Sequence, residues 1–238
     1  KPMKLPLSND AGEYTVDPGK IICLGLNYHA HIEESLSVNV QGFTKEAPEE
    51  PVLFNKLPSS ILGPEEAIVL PAIVDEYEFD APRTDHEAEL AVIMGAGGKN
   101  IPAERAFDYV YGFTAANDVS QRNIQNGDRS GWFRGKSFDT FCPVGPVVVP
   151  TSLLPNVQNL QVSCRVNGQE KQSGRTSQMI FSIPEIIAFI SRNFTLEEGD
   201  IILTGTPSGV GPLTEGDTVE VEIEGIGTLR NPVRREER

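Results

Sequence analysis

The sequence lacks the apolar run of about 18 residues that a membrane-spanning helix requires. No apolar stretch follows the first four residues, so it also shows no secretory signal peptide. Only three cysteines are present, Cys23, Cys142 and Cys164, and their odd number and wide spacing argue against a disulfide framework or a zinc ribbon. We therefore expect a cytoplasmic protein with no membrane partner, in which the cysteines are small buried side chains.

Positive charge is also scarce. The chain has 20 lysines and arginines against 34 aspartates and glutamates, a formal net charge of −14. A surface this acidic repels phosphates. The one basic cluster (Arg230, Arg234, Arg235 and Arg238) lies at the C-terminus, where we interpret it as a solvated tail. We expect no nucleic-acid partner.

The sequence has few helical patterns and many short strand-like runs, which predicts a strand-rich α+β fold with a mixed β-sheet and few short helices. We expect residues 1–17 to form an N-terminal arm or small hairpin and residues 18–238 to form the main domain. Asn167-Gly168 predicts a tight hairpin. The predicted strands are residues 21–25, 52–54, 68–70, 87–95, 109–118, 160–166, 201–204 and 218–223.

The clearest helix is predicted at residues 183–193. Ser182 and Glu185 form a capping box, Pro184 stands in the first turn, and isoleucines recur at helical spacing. The isoleucine stripe is interpreted as core. The remaining predictions are short helices at residues 102–108 and 119–126 and a surface loop over the polar, proline-flanked residues 71–85.

Glu87 and Glu89 stand two apart on a predicted strand, so their side chains point to the same face. Two carboxylates on one face repel unless something neutralises them, and a hard divalent cation does this well. Asp118 ends a second apolar strand and is a third candidate ligand. Ligation by oxygen alone favours Mg²⁺, Mn²⁺ or Ca²⁺ over zinc. The alternatives are a solvated strand face for the glutamates and a helix N-cap for Asp118.

His31 and Glu34 lie three residues apart, so one helical turn would place them side by side. A carboxylate orients an imidazole and raises its basicity, which makes the pair a candidate general base for a water molecule. His29 and Glu33 form a rival pair in the same stretch, and an exposed polar turn is the alternative to both. The sequence alone leaves this choice open.

Five further positions are candidates for holding a substrate, and the first of them, Lys136, is also a candidate catalytic residue. Lys136 is a lone lysine among apolar and aromatic residues and could stabilise an enolate. Arg122 and Gln125 lie three apart on a predicted helix, so both could reach one cleft. Gly205 and Thr206 begin a glycine-rich loop whose backbone N–H groups could approach an anion. Lys136, Arg122 and Gln125 could equally face solvent.

Five motifs in register resemble the fumarylacetoacetate hydrolase family over nearly all of residues 20–225. They are Gly25-x-Asn27-Tyr28-x-x-His31-x-x-Glu34, Glu87-x-Glu89-Leu90, Asn117-Asp118-x-x-x-Arg122-x-x-Gln125, Gly135-Lys136-Ser137-Phe138 and Gly205-Thr206-Pro207-x-Gly209-Val210-Gly211. Residues 177–211 look most like the acylpyruvate hydrolase and oxaloacetate decarboxylase branch. Residues 112–146 look more like bacterial members and the related decarboxylase/isomerase enzymes of aromatic catabolism.

The resemblance implies the mixed β-sheet fold of this family for residues 18–238, and a homodimer. It also implies a site with three parts. These are Mg²⁺ or Mn²⁺ held by Glu87, Glu89 and Asp118, a water-activating pair of His31 and Glu34, and a substrate pocket formed by Lys136, Arg122, Gln125, Gly205 and Thr206.

The substrate that the resemblance implies is a small 2-oxo acid. Our leading expectation is hydrolysis of an acylpyruvate-type 2,4-dioxo acid, in which a C–C bond breaks through a metal-bound pyruvate enolate. The enzymatic alternatives are oxaloacetate decarboxylation and the isomerisation or decarboxylation of a dienoic 2-oxo acid. The non-enzyme alternative is a metal-binding regulatory or scaffold protein on the same fold.

Overall fold

The computed structural model describes residues 2–35 and 45–237. Within these residues the chain forms seventeen β-strands and four α-helices, with short 3₁₀ helices between them. The strands are β1 (Met3–Pro6), β2 (Glu13–Val16), β3 (Ile21–Gly25), β4 (Val52–Lys56), β5 (Ile61–Leu62), β6 (Ile68–Leu70), β7 (Thr84–His86), β8 (Ala88–Met94), β9 (Val110–Asn117), β10 (Ser120–Gln121), β11 (Cys142–Pro150), β12 (Gln161–Val166), β13 (Gln169–Arg175), β14 (Ile201–Leu203), β15 (Gly211–Pro212), β16 (Thr218–Ile223) and β17 (Gly227–Arg235). The α-helices are α1 (His29–Glu34), α2 (Arg122–Gly127), α3 (Phe133–Lys136) and α4 (Ile183–Asn193).

The described strands form one large mixed sheet and three smaller sheets. The large sheet has the order β4-β3-β14-β8-β9-β11-β5, in which β14 pairs with β3 and β11 with β5 in parallel. The second sheet has the order β13-β12-β16-β17-β6, the third the order β10-β7-β15, and β1 and β2 form a hairpin. The strand-rich α+β fold with a mixed sheet is confirmed.

The large sheet is covered on both faces, because successive side chains along a strand point to opposite sides. Along β3, Ile22 and Leu24 point into a core that includes side chains of the five-stranded sheet and α4. Ile21 and Cys23 point into a second core, which the β1–β2 hairpin helps to cover through Leu5. Strands buried on both faces read as continuous apolar runs, which is why the sequence pattern identified them.

Helix α4 begins and ends at the residues that the sequence predicts. The Ser182 hydroxyl accepts a hydrogen bond from the Glu185 N–H (3.4 Å), and the Glu185 carboxylate accepts one from the Ser182 N–H (2.7 Å), which completes the capping box. Its apolar stripe is fully buried in the first core, and burial of each such side chain stabilises the fold by about 1.5–3 kcal/mol. The stripe consists of Ile183, Ile186, Ile187 and Ile190.

The predicted surface loop over residues 71–85 is wrong in two places. Ala72–Tyr77 forms a 3₁₀ helix, and the last two residues of the predicted loop, Thr84 and Asp85, belong to the buried strand β7. Asp85 lies in β7 at 1% exposure because Arg83 and Arg122 both form ion pairs with it. Long-range pairing of this kind leaves no periodic signal in the sequence.

The short helices also differ from their predicted bounds. The helix predicted at residues 119–126 begins at Arg122, because Ser120 and Gln121 pair with β7 instead. Its N-cap is Gln121, whose side chain accepts a hydrogen bond from the Ile124 N–H (2.8 Å). Asp118 is therefore not a helix cap. The helix predicted at residues 102–108 is a 3₁₀ helix, Ala103–Tyr109.

All three cysteines are buried and free. Burial raises the pKa of the Cys142 and Cys164 thiols to about 12, so both stay protonated at neutral pH. Their interpretation as small buried side chains is confirmed. Among the described residues, no helix combines the length and the apolar character needed to cross a membrane.

Candidate metal centre and active site

The three predicted metal ligands meet at the edge where β8 begins and β9 ends. These strands are antiparallel neighbours, with Ala88 opposite Asn117 and Glu89 opposite Ala116. Glu89 lies in β8, Glu87 directly precedes β8, and Asp118 directly follows β9. One oxygen of each carboxylate lies within 4.8 Å of those of the other two, and all three residues are buried. The alternative of a solvated strand face for the glutamates is wrong.

Glu89 provides the test of whether a cation fits this site. One carboxylate oxygen, Oε2, accepts a hydrogen bond from the Gly205 N–H (2.8 Å). The other, Oε1, is buried and has no hydrogen-bond partner among the described residues. Burial, and then the negative charges of Asp118 and Glu87, raise the pKa of Glu89 well above its ordinary value. A divalent cation would give Oε1 a partner and offset this repulsion, so the three carboxylates fit a hard divalent cation such as Mg²⁺ or Mn²⁺.

Three cationic side chains neutralise two of the three carboxylates, those of Glu87 and Asp118. Lys136 Nζ donates to Glu87 Oε2 (3.1 Å) and to Asp118 Oδ2 (2.9 Å). Lys56 Nζ donates to the second oxygen of Asp118 (2.6 Å), and Arg122 forms an ion pair with Glu87 Oε1 (2.7 Å). Each of these pairs is almost fully shielded from solvent, so the charges interact strongly.

These contacts decide the ionisation of Glu87 and Lys136. Burial alone would raise the pKa of Glu87, but the positive charges of Lys136 and Arg122 outweigh it and hold that pKa well below its ordinary value. Burial alone would lower the pKa of Lys136, but Asp118 and Glu87 outweigh it and raise that pKa. Lys136 is thus a buried ammonium ion, 2% exposed, rather than a surface lysine.

Helix α1 settles which histidine and glutamate form a pair. His31 Nδ1 lies 3.0 Å from Glu34 Oε1, and His31 is buried. The rivals His29 and Glu33 are exposed. Because a carboxylate only accepts hydrogen bonds, the network assigns a proton to His31 Nδ1, and the lone pair of the neutral imidazole then lies on Nε2. This is the arrangement that a general base requires.

The backbone N–H groups of the glycine-rich loop bind an anion that belongs to the protein itself, the carboxylate of Glu34. The Gly209 N–H lies 2.9 Å from both oxygens of Glu34, and the Val210 N–H lies 3.4 Å from Oε1. Burial alone would raise the pKa of Glu34, but the hydrogen bonds from His31 and Gly209 outweigh it and lower that pKa. Glu34 therefore stays ionised and fixes the orientation of His31.

One cleft collects most of the predicted substrate-binding residues. Arg122 Nη1 donates to Gln125 Oε1 (2.9 Å), so the pair lies together, as its spacing predicts. Gly205 does not line the cleft, and its N–H donates to Glu89 instead. The predicted residues that line the cleft are His31, Glu87, Arg122, Gln125, Lys136 and Thr206.

The sequence interpretation missed Lys56, Asp85 and Trp132. Lys56 is the last residue of β4 and lies two positions beyond the strand predicted at residues 52–54. A lysine at a strand end is normally solvated, and this one is buried because its Nζ pairs with Asp118, 62 positions further along the chain. Trp132 lines the cleft and packs edge-on against Phe54. The one available signal was that this single tryptophan lies four residues before Lys136.

The fold and the site together define a strand-rich protein with a buried cluster of three carboxylates, able to hold a metal ion, beside a histidine–glutamate pair. A family model described as fumarylacetoacetate (FAA) hydrolase C-terminal matches residues 20–234. The chain belongs to the fumarylacetoacetate hydrolase family. Members of this family are enzymes, with hydrolase, isomerase and tautomerase relatives, so the chain is an enzyme rather than a scaffold.

Three relatives illustrate the similarity. An uncharacterized protein of Pyrococcus abyssi is 47% identical over 238 residues, covering 99% of this chain and 98% of that protein. The mitochondrial oxaloacetate tautomerase Fahd2a of Rattus norvegicus is 44% identical over 223 residues, covering 91% of this chain and 66% of that protein. The crystal structure of 5-carboxymethyl-2-hydroxymuconate delta-isomerase from Mycobacterium smegmatis superimposes with a TM-score of 0.80 at 42% identity, covering 94% of this chain and 82% of that one.

Proposed function

We propose that this enzyme requires a divalent metal and moves a proton at the carbon next to the 2-oxo group of a small 2-oxo acid. The reaction that we propose first is the keto–enol tautomerisation of oxaloacetate. One observation carries the proposal: His31, held by Glu34, lines the same cleft as Glu87 of the three-carboxylate centre. The similarity to the rat oxaloacetate tautomerase supports the choice of substrate.

The chemistry divides between a metal and the side chains of the cleft. A cation held by Glu87, Glu89 and Asp118 would polarise the 2-oxo oxygen and stabilise negative charge that develops on it. His31 Nε2 removes the proton from the carbon, and the ionised Glu34 stabilises the imidazolium that forms. The same imidazolium then returns the proton to the oxygen, which completes the tautomerisation.

Three side chains favour an anionic substrate that can form an enol. Arg122 and Lys136 bring positive charge to the cleft wall, where a carboxylate would bind. Thr206 donates its only hydroxyl hydrogen to the Ala88 carbonyl (2.8 Å) and accepts one from Gln172 (2.7 Å). Towards a ligand this hydroxyl can only accept, so it matches the O–H of an enol or of water rather than a carboxylate.

A second candidate is hydrolysis of an acylpyruvate, which the sequence motifs favour. The observation that supports it is the same pair, because a histidine oriented by Glu34 is also able to deprotonate water. Oxaloacetate decarboxylation would pass through the pyruvate enolate that acylpyruvate hydrolysis also forms, but without water.

The resemblance also supports a homodimer, which light scattering would show as twice the mass of the chain.

A substrate panel separates these reactions. The purified protein would be assayed with Mg²⁺ or Mn²⁺, and again after EDTA, against oxaloacetate, acetylpyruvate and fumarylpyruvate. Metal-dependent tautomerisation of oxaloacetate, without loss of CO₂, is the expected result. Metal-dependent cleavage of an acylpyruvate would move the assignment to the hydrolase, and loss of CO₂ from oxaloacetate to the decarboxylase. Equal rates with Mn²⁺ and EDTA would contradict all three.

A further inference from the structure

Gln172 on β13 is a buried amide, 1% exposed, whose hydrogen bonds reach three separate elements. Its Oε1 accepts from the Ala88 N–H (3.0 Å) and from His86 Nδ1 (2.9 Å). Its Nε2 donates to Thr206 Oγ1 (2.7 Å) and to the Pro207 carbonyl (2.9 Å). Because the Ala88 N–H only donates and the Pro207 carbonyl only accepts, the amide has one possible orientation and is fully satisfied.

The first of these elements carries the metal ligands. Ala88 lies between Glu87 and Glu89, so its peptide groups set the spacing of the two carboxylates. Gln172 binds the Ala88 N–H directly, and Thr206, which Gln172 binds, donates to the Ala88 carbonyl. Both backbone polar groups of Ala88 are therefore held by one connected set of side chains.

The second element is the loop that holds Glu34. Gln172 fixes its beginning at Thr206 and Pro207. Further along, Gly209 has φ +100°, and a Cβ there would lie 1.9 Å from the Lys171 carbonyl and 3.2 Å from the Gln172 Cα. Gly209 thus packs directly on β13 while its N–H binds Glu34. The strand that carries Gln172 shapes the loop along its length.

We propose that Gln172 is a positioning residue that couples the spacing of Glu87 and Glu89 to the loop that orients Glu34 and His31. Its role towards the metal ligands is independent of which 2-oxo acid is converted, and its role towards His31 rests on the proposed function. Neighbouring groups that orient metal ligands typically contribute about 10–100-fold to metal affinity, so a measurable effect on binding is expected.

The test compares Gln172→Met, which keeps the length and loses all four hydrogen bonds, with Gln169→Met, an exposed position on the same strand. Titration calorimetry with Mn²⁺ is the first readout. We expect Mn²⁺ to bind Gln172→Met about tenfold more weakly, with kcat for oxaloacetate reduced more than KM changes, and Gln169→Met to match the wild type. In metal-free protein, hydrogen exchange should rise together in residues 87–91 and 205–211.

Other results would overturn the proposal. If Gln172→Met only melts at a lower temperature, while Mn²⁺ affinity and kcat of the folded protein stay at wild-type values, Gln172 is merely structural. If Gln172→Met does not fold, Thr206→Val tests the same bridge from the loop side, and Mn²⁺ binding equal to that of Thr206→Ser would refute it. Wild-type protein that binds Mn²⁺ but turns over no 2-oxo acid would overturn the proposed function and leave the coupling to the metal ligands standing.

Discussion

Replacement of Lys136 by methionine tests the electrostatic account of the site. Lys136 is 2% exposed and donates to Glu87 and Asp118. Methionine keeps much of the apolar volume but leaves both carboxylates with one counter-ion fewer. Removal of one partner from a buried ion pair typically costs about 3–5 kcal/mol. For a chain of this size each kcal/mol lowers Tm by about 2–4 °C, so metal-free Lys136→Met should melt roughly 10 °C below the wild type.

Differential scanning calorimetry in EDTA and in excess Mn²⁺ measures both halves of this prediction. Mn²⁺ should restore much of the lost stability, because the cation takes over the neutralisation of the carboxylates, and a ligand at a hundred times its Kd stabilises by about 2.7 kcal/mol. Lys4→Met is the matched control, since its ion pair with Glu13 is exposed and contributes at most about 1 kcal/mol. A Lys136→Met protein that melts with this control in EDTA would refute the reasoning.

Three further predictions concern the histidine–glutamate pair and its loop. Glu34→Gln should lower kcat by about 10²-fold or more while Mn²⁺ affinity in calorimetry stays unchanged. Replacement of the exposed Glu33 by glutamine should change neither kcat nor Mn²⁺ affinity. The pKa of Glu34 in the folded protein lies below its ordinary value of 4.5. Its ionised form therefore stabilises the protein above pH 4.5, and this contribution is lost as pH falls through the folded pKa. In pH-dependent melting, the Tm of the wild type should therefore fall more steeply below pH 4.5 than the Tm of Glu34→Gln. Gly209→Ala should destabilise the fold and reduce kcat, because the added Cβ would lie 1.9 Å from the Lys171 carbonyl; an unchanged Tm would contradict the described packing.

The parts of the site that obey a local rule could be predicted from the sequence. Glu87 and Glu89 share a face because strands have a period of two, and His31 and Glu34 meet because a helical turn joins positions three apart. The bounds of α4 follow from its capping box and its isoleucine stripe. Each of these signals spans fewer than about a dozen residues.

The parts that depend on distant partners could not be predicted. Gln172 stands in the polar run Gln169-Glu170-Lys171-Gln172, which is typical of an exposed strand, and it is buried because Ala88 lies 84 positions away. Asp85 in the predicted surface loop is buried for the same reason, through Arg122. Burial of a polar residue is stable only when its partners are present, and the sequence does not show which distant residues those are.

The most direct test of the central claim is the exchange of the carbon-3 hydrogens of oxaloacetate for deuterium, followed by proton NMR in D₂O. The account predicts that wild-type protein with Mn²⁺ exchanges these hydrogens far faster than the uncatalysed reaction, and that both EDTA and His31→Asn abolish the excess rate. Exchange at the uncatalysed rate with Mn²⁺, or an enzymatic rate that survives in His31→Asn, would contradict it.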